Sequence, residues 1–240
     1  MDERHGYVQD KSHPQWEAEV IDPVSKFVVA HVQGRRDESL IRRLLEDAVK
    51  RLSHPQRLVL FTDGEVSYAS LFPEIFGQAY RPSRQGTRGR LPAVRYRIPR
   101  TLAYAQVIKH RHGQRLVAVD IRYTHGSQRC VHACLEQLDY TIPNTSAIER
   151  RDGTARRMNA HQIRRSFAFS RREDTKIPLG WWGLTVYNCC RPHRSLRLRL
   201  AHLQNKKSST NAPQPWPSVL LAASGQSETF CSPLSSLHSV

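Results

Sequence analysis

Long apolar runs are missing from this chain of 240 residues. No stretch approaches the roughly 18 apolar residues that a membrane-spanning helix needs. The opening residues, MDERHGYVQD, contain no apolar core of a secretory signal. Cysteine is scarce, and its count of 5 is odd, so a complete disulfide framework is excluded. These absences predict a cytoplasmic protein with free thiols and no membrane partner.

Acidic residues are also few. Asp and Glu total 21 against 37 Lys and Arg, which leaves a formal net charge of +16. Such an excess of positive charge favours a polyanionic partner, although it carries no information about the fold. Nucleic acid is the polyanion that the later motifs favour, and we therefore expect DNA binding.

The first half of the chain alternates strand patterns with helix patterns. β-Branched and aromatic stretches bounded by turn residues predict strands near 3–8, 16–22 and 26–32. The segment from Asp37 to Leu52, DESLIRRLLEDAVKRL, has one apolar stripe and one charged face, so it predicts a helix with Asp37 as its N-cap. The apolar run RLVLFTDG predicts a central strand, buried on both faces and ending at Asp63. A helix is expected from about Val66, with an interruption near Pro73.

The second half has a different composition. Residues 77–100 are rich in Arg, Gly and Pro and predict a basic loop, and a hairpin is expected with its turn near Gly113. Helices are expected at 127–138, from about Ser146, and in a final segment that ends before Pro192. Residues 1–200 would form one domain, whereas the serine-rich segment 201–240 lacks periodicity and is expected to be poorly ordered.

Three strands, a helix and a fourth strand form the opening of the ribonuclease H-like fold. We therefore predict an α/β protein with a ribonuclease H-like mixed sheet flanked by helices, and with a hairpin insertion before the last catalytic helix. Members of that fold that transfer phosphoryl groups hold two Mg²⁺ ions on three carboxylates, with the ions about 3.5–4 Å apart. The three acids lie on the first strand, at the end of the fourth strand and on a later helix.

Asp63 and Glu149 match the second and third of those positions. The first position has two candidates, Asp2 and Asp22. Asp2 leaves the two further strands that must precede the helix at 37, whereas Asp22 stands before Pro23 in a turn dipeptide. Asp2 is therefore preferred, with Asp22 as the alternative.

Five segments carry a more specific resemblance: MDERHGYVQDKSHPQWEAEVIDP, LFTDGEVSYA, VIKHRHG, NTSAIERRDGTARR and YNCCRPHRSL. Their order resembles that of the bacterial DDE transposases, and in particular the compact group typified by the insertion element numbered one. The resemblance covers about residues 1–200 and implies that Asp2, Asp63 and Glu149 are the catalytic, metal-binding acids. It also implies cleavage at the element ends, followed by attack of the freed 3′-hydroxyl on target DNA. The implied cofactor is Mg²⁺, two ions with Mn²⁺ as a substitute, and the implied protein is a homo-oligomer on nucleoid DNA.

The chain departs from the pattern of that group at three places. The group usually carries a DNA-binding segment ahead of the first Asp, so a truncated first strand is expected here. Asp152 stands where the group usually has Asn. The segment 201–240 differs from the group's ending, and a shifted reading frame would explain it.

Basic side chains near the third acid are candidates for phosphate contact, because the arginine fork matches phosphate oxygens. The candidates for DNA binding are Lys109, Arg111, Arg150, Arg151, Arg156 and Arg157. Simpler interpretations stay open: Ser146 and Glu149 also fit a helix capping box, and the arginines fit a solvated helix face. A DNA-binding transposase remnant without catalysis, or a generic basic nucleic-acid binder, are the alternative functions.

Overall fold

Three antiparallel strands open the chain, as the sequence predicts. The computed structural model describes residues 1–55, 58–84, 90–113, 115–163 and 168–196, so the expected tail at 201–240 lies outside the described residues. The strands are β1 (Asp2–Val8), β2 (Asp10–Ile21) and β3 (Val28–Gly34), and β2 lies between the other two. Asp22 closes the turn between β2 and β3 by accepting hydrogen bonds from the backbone N–H groups of Val24 and Ser25, both at 3.0 Å.

The first helix, α1 (Glu38–Arg51), confirms the predicted amphipathic segment. The Asp37 side chain caps it by accepting a 2.9 Å hydrogen bond from the Leu40 N–H. The apolar stripe packs on β3 and β2, and five of its side chains are buried: Leu40, Ile41, Leu44, Leu45 and Ala48. Since each fully buried leucine stabilises the fold by about 1.5–3 kcal/mol, this stripe anchors the first sheet.

A second sheet follows α1. The next elements are β4 (Val59–Thr62), α2 (Val66–Phe76), β5 (Gln78–Tyr80), β6 (Arg95–Arg97), β7 (Ala103–His112) and β8 (Arg115–His125). The second sheet consists of β4, β7 and β8, and β5 and β6 form a separate two-stranded sheet. β4 runs parallel to β7, and β8 returns antiparallel along β7 after a turn in which Gly113 adopts a φ of 62°. The hairpin prediction is therefore confirmed. Residues 77–100 are not only a loop, because β5 and β6 pair within them.

β4 differs in part from its prediction. Side chains pack on both of its faces: Leu60 joins the cluster under α1 and α2, while Val59 and Phe61 pack on the opposite cluster. The strand is not central in the hydrogen-bonded sheet, however, because its ladder among the described residues is with β7. The Met1 amino nitrogen donates a 2.7 Å hydrogen bond to the Phe61 carbonyl, which places the start of β1 beside β4.

The predicted interruption of α2 at Pro73 is wrong, because the helix continues to Phe76. Proline has no N–H group with which to bind the carbonyl four residues earlier, which is that of Ala69. The His125 Nε2 atom lies 3.1 Å from that carbonyl oxygen and is placed to donate to it. A strand residue therefore satisfies the acceptor that the proline leaves open.

Three further helices complete the described chain: α3 (Gln128–Gln137), α4 (Ser146–Met158) and α5 (Glu173–Thr185), the last of which continues as a π-helical turn to Cys190. α3 packs on β4 and β7, α4 on β1 and β2, and α5 on β3. The architecture is thus a mixed α/β protein whose sheets are flanked by helices. Within the described ranges, no helix has the length and apolar character needed to cross a membrane.

Candidate active site

Three carboxylates meet where the two sheets adjoin. One carboxylate oxygen from each of Asp2, Glu3 and Asp63 lies within 4.8 Å of the other two. Asp2 begins β1 and Asp63 follows the last residue of β4, and these strand ends are neighbours because Met1 bonds to Phe61. The first and second predicted acids are therefore brought together. Glu3 is a member of the group that the sequence reasoning missed.

The three carboxylates repel one another, and the Met1 amino group and Arg36 offset that repulsion only in part. Burial raises the pKa of Asp2, and the nearby charge of Asp63 raises it further. Burial likewise raises the pKa of Glu3. Glu3 Oε2 accepts a 3.3 Å hydrogen bond from Arg36, and the interaction of the Glu3 side chain with the Tyr68 hydroxyl partly offsets the effect of burial on its pKa. A buried carboxylate beside two further carboxylates is a favourable environment for a positive charge.

Glu149 approaches the group from the first turn of α4. Its Oε1 atom accepts a 2.7 Å hydrogen bond from the Thr145 hydroxyl and also binds the Lys109 ammonium. Burial opposes the charge of Glu149, but the hydrogen bonds from Lys109 and Thr145 outweigh it and lower its pKa. Glu149 lines the same cleft as Asp2 and Asp63, which has a volume of about 480 Å³. All three predicted acids therefore face one cleft, although Glu149 lies outside the group within 4.8 Å.

The capping-box interpretation of Glu149 is wrong. The helix N-cap is Thr145, and Ser146 is already the first helical residue. The Ser146 hydroxyl donates to Asn144 Oδ1 at 2.6 Å. The Glu149 carboxylate is bound by Lys109 and Thr145, as described above, and it is therefore directed into the cleft.

Asp22, the alternative first acid, lies elsewhere. It is buried in the turn after β2, where its carboxylate also accepts a 2.6 Å hydrogen bond from the Ser25 hydroxyl. It does not line the cleft that contains Asp63 and Glu149. Asp2 therefore occupies the position expected of the first acid.

The candidate DNA-binding residues have different environments. Lys109 lines the cleft, and the positive charge of Arg111 acts on Glu149. Arg150 and Arg157 are exposed on α4, whereas Arg156 is partly buried and donates a 3.2 Å hydrogen bond to the Gln162 carbonyl. The exposed guanidinium groups of Arg150 and Arg157 on α4 are accessible to phosphates.

Arg151 is the exception, and its assignment to DNA binding is wrong. Only 3% of the residue is exposed. Its Nη2 atom donates a 2.8 Å hydrogen bond to Glu19, and its guanidinium lies 4.3 Å from the centre of the Tyr187 ring. The reason is helical spacing: Ile148 is buried, and a residue three positions later shares its inward face.

A second charged group lies buried among β1, β2, β3 and α4. Glu17, Glu19 and His31 place their ligating atoms within 4.8 Å of one another, but two arginines already compensate the carboxylates. Arg4 bonds to Glu17 at 2.6 Å and to Glu19 at 3.2 Å. Burial opposes the charge of Glu19, yet Arg4 and Arg151 lower its pKa well below the usual value. The sequence pattern EAEV could have indicated this buried group. Glu17 and Glu19 alternate there with apolar residues, on a strand that is covered on both faces.

The donor chemistry of the first group fits Mg²⁺. This ion is hard and binds carboxylate oxygens, which Asp2, Glu3 and Asp63 supply within 4.8 Å of one another. The buried group around Glu19 does not fit, because its carboxylates are occupied by guanidinium groups. The chain is thus a mixed α/β protein with a carboxylate-lined cleft. No family model, curated protein or solved structure matches the chain.

Proposed function

We propose that residues 1–200 are the ribonuclease H-like catalytic domain of a DDE transposase, which performs metal-dependent DNA strand cleavage and strand transfer. One observation carries the proposal: Asp2, Asp63 and Glu149, which are far apart in sequence, open into the same cleft. They lie on the first strand, after the fourth strand and on a later helix, which are the positions that the resemblance to transposases implies.

The order of the elements supports the fold assignment. β1, β2 and β3 are antiparallel neighbours, α1 follows, and β4 is parallel to the next long strand, β7. The bond from Met1 to Phe61 places β1 beside β4. The resulting spatial order is β3-β2-β1, then β4-β7, which is the arrangement expected of a ribonuclease H-like sheet.

The acids have distinct tasks in this proposal. Asp2 and Asp63 would hold the two cations, with Glu3 as a further ligand and Glu149 completing the site from α4. Bound Mg²⁺ would polarise phosphoryl oxygens and favour deprotonation of the attacking water or 3′-hydroxyl. Lys109 keeps Glu149 ionised at the cleft, and its ammonium is also placed to meet a DNA phosphate.

The remaining basic surface would hold the DNA substrate. Arg111, Arg150 and Arg157 are exposed near the cleft or on the helix that carries Glu149. With a net charge of +16, the chain would bind DNA mainly through phosphates, and therefore with weak sequence selectivity.

A non-catalytic DNA-binding remnant is the second candidate. One observation favours it: Glu149 is ion-paired with Lys109 and lies outside the group formed by Asp2, Glu3 and Asp63. If that ion pair persists in the DNA complex, the third carboxylate is not available to a cation, and the protein would bind DNA without cleaving it.

Replacing Glu149 with Gln distinguishes these functions. The substitution keeps the side-chain volume but removes the charge that offsets a cation, so Mg²⁺- or Mn²⁺-dependent nicking of a supercoiled plasmid should disappear. DNA binding, measured by a gel shift, should be unchanged or slightly tighter. Glu74→Gln is the matched control, because Glu74 pairs with Arg42 on the protein surface, and it should nick like the wild type.

Two outcomes would count against catalysis at this site. Equal nicking by the wild type and Glu149→Gln would contradict the assignment of Glu149. Absence of nicking by both proteins, with DNA binding retained, would favour the non-catalytic remnant.

A further inference from the structure

A partly buried ion pair, with Arg4 2% and Asp152 16% exposed, connects the two elements that carry the first and third acids. Arg4 Nη1 donates a 2.8 Å hydrogen bond to Asp152 Oδ1. Arg4 lies two residues after Asp2 on β1, so both side chains are on the same face of the strand. Asp152 lies three residues after Glu149, so both are on the same side of α4. The pair therefore links the strand of Asp2 to the helix of Glu149 about one helical turn from the cleft.

Two further hydrogen bonds fix the same two elements to β2. Glu19 accepts from Arg151 on α4 at 2.8 Å and from Arg4 on β1 at 3.2 Å. The side chains of these three residues are at most 2% exposed. In this buried, low-dielectric environment the hydrogen bonds are strong, and a charge that loses its partner is costly. The sheet and α4 are thus held in one relative orientation.

We infer that Asp152 is a positioning residue, which acts through Arg4 to set the distance of Glu149 from Asp2 and hence the affinity of the cleft for a divalent cation. The inference rests on the proposed function. Stability alone does not explain the Arg4–Asp152 pair, because an ion pair away from solvent contributes little net stability compared with apolar packing. What the pair does provide is orientation, since each partner accepts few geometries.

Three substitutions separate orientation from charge and from stability. Asp152→Ala removes both the charge and the acceptor oxygen. Asp152→Asn removes the charge but keeps an oxygen for Arg4. Asn188→Ala is the control for stability, because Asn188 ties β3 to the π-helical turn through two 3.0 Å hydrogen bonds with the Val28 backbone and does not contact Asp152. Arg4 keeps Glu17 and Glu19 as partners, so Asp152→Ala should fold. If the thermal melt of Asp152→Ala is not cooperative, Asp152→Ser is used in its place.

The measurement is the affinity of the full chain for Mn²⁺ by titration calorimetry, with thermal melts of the same samples. We expect Asp152→Ala to bind Mn²⁺ about 10-fold or more weakly, as is typical when a residue that orients a metal ligand is lost. The Mn²⁺ affinity of Asp152→Asn should be much closer to that of the wild type. Asn188→Ala should lower the melting temperature without weakening Mn²⁺ binding.

The contrary outcomes are distinct. If Asp152→Ala binds Mn²⁺ like the wild type, or if Asn188→Ala weakens binding equally, Asp152 has no positioning role. If Asp152→Asn is as weak as Asp152→Ala, charge alone accounts for the effect, and the inference fails. If the wild type binds no more Mn²⁺ than Asp2→Asn does, the metal site itself is absent, and the proposed function fails together with the inference.

Discussion

Replacing Asp63 with Asn should stabilise the metal-free protein, although the change removes a candidate ligand. A carboxylate oxygen of Asp63 lies within 4.8 Å of carboxylate oxygens of Asp2 and Glu3. Two unit charges at 4.8 Å repel by about 3.5 kcal/mol at the effective dielectric constant of about 20 found near protein surfaces. Asp63 is partly exposed, and Arg36 lines the same cleft. After that screening, we expect the substitution to add about 1–2 kcal/mol to the free energy of unfolding.

Thermal melts test this expectation directly. For a chain of this size, about 1–2 kcal/mol corresponds to a rise of about 2–8 °C in melting temperature. In the presence of magnesium, the wild type should have the higher melting temperature of the two proteins. The wild type gains about 1.4 kcal/mol at ten times the dissociation constant, whereas Asp63→Asn gains little, because it has lost a ligand.

The control is Asp120→Asn, which makes the same change of charge on β8. Its carboxylate pairs with His110 and is 69% exposed, so the melting temperature and the response to magnesium should both stay as in the wild type. The reasoning is refuted if metal-free Asp63→Asn melts below the wild type. It is refuted equally if both proteins show the same magnesium-dependent shift.

Three further predictions concern pH, α2 and salt. Burial raises the pKa of Asp152 to about 6 from 3.8, so the native state binds more protons and stability should fall as the pH rises between these values. Neighbouring arginines hold the pKa of Glu19 below the usual 4.5, so its contribution to stability is lost as the pH falls below 4.5. The urea midpoint should therefore be highest at the pH where the loss from Glu19 and the loss from Asp152 are both small. A urea midpoint that rises steadily to neutral pH would contradict this. His125→Phe keeps an aromatic ring but leaves the Ala69 carbonyl without its donor, and it should lower the free energy of unfolding by about 1–2 kcal/mol. The loss should shrink in a Pro73→Ala background, where a helical N–H replaces the donor, and equal losses in both backgrounds would refute the assignment. Duplex DNA binding should weaken with salt, with a log–log slope of about −0.9 for each phosphate neutralised, and a slope near zero would remove the nucleic-acid interpretation.

The local elements follow from local chemistry, and most of them could be predicted. The helix Glu38–Arg51 has a complete apolar stripe and an Asp cap, and the β7–β8 hairpin turns at a glycine with positive φ. Both are decided by residues a few positions apart. The continuation of α2 through Pro73 could not be predicted, because the compensating donor, His125, is 52 positions away in sequence.

The candidate site was predictable only in part. Asp63 follows a short apolar strand, and counting strands favoured Asp2 over Asp22. Glu3 could not be found in this way, since strand alternation places it on the face opposite to Asp2, yet its carboxylate reaches the same group.

By itself, the sequence determined the strongly basic charge, the order of strands and helices, and the positions of the candidate acids along the chain. Periodicity, capping residues and composition act over a few residues, and they can be read without a fold. Only the tertiary structure decided that Arg151 points inward to Glu19 and that Glu149 faces the cleft beside Lys109. Those outcomes depend on charges brought together from distant elements, where burial makes each pairing strong and each unpaired charge costly.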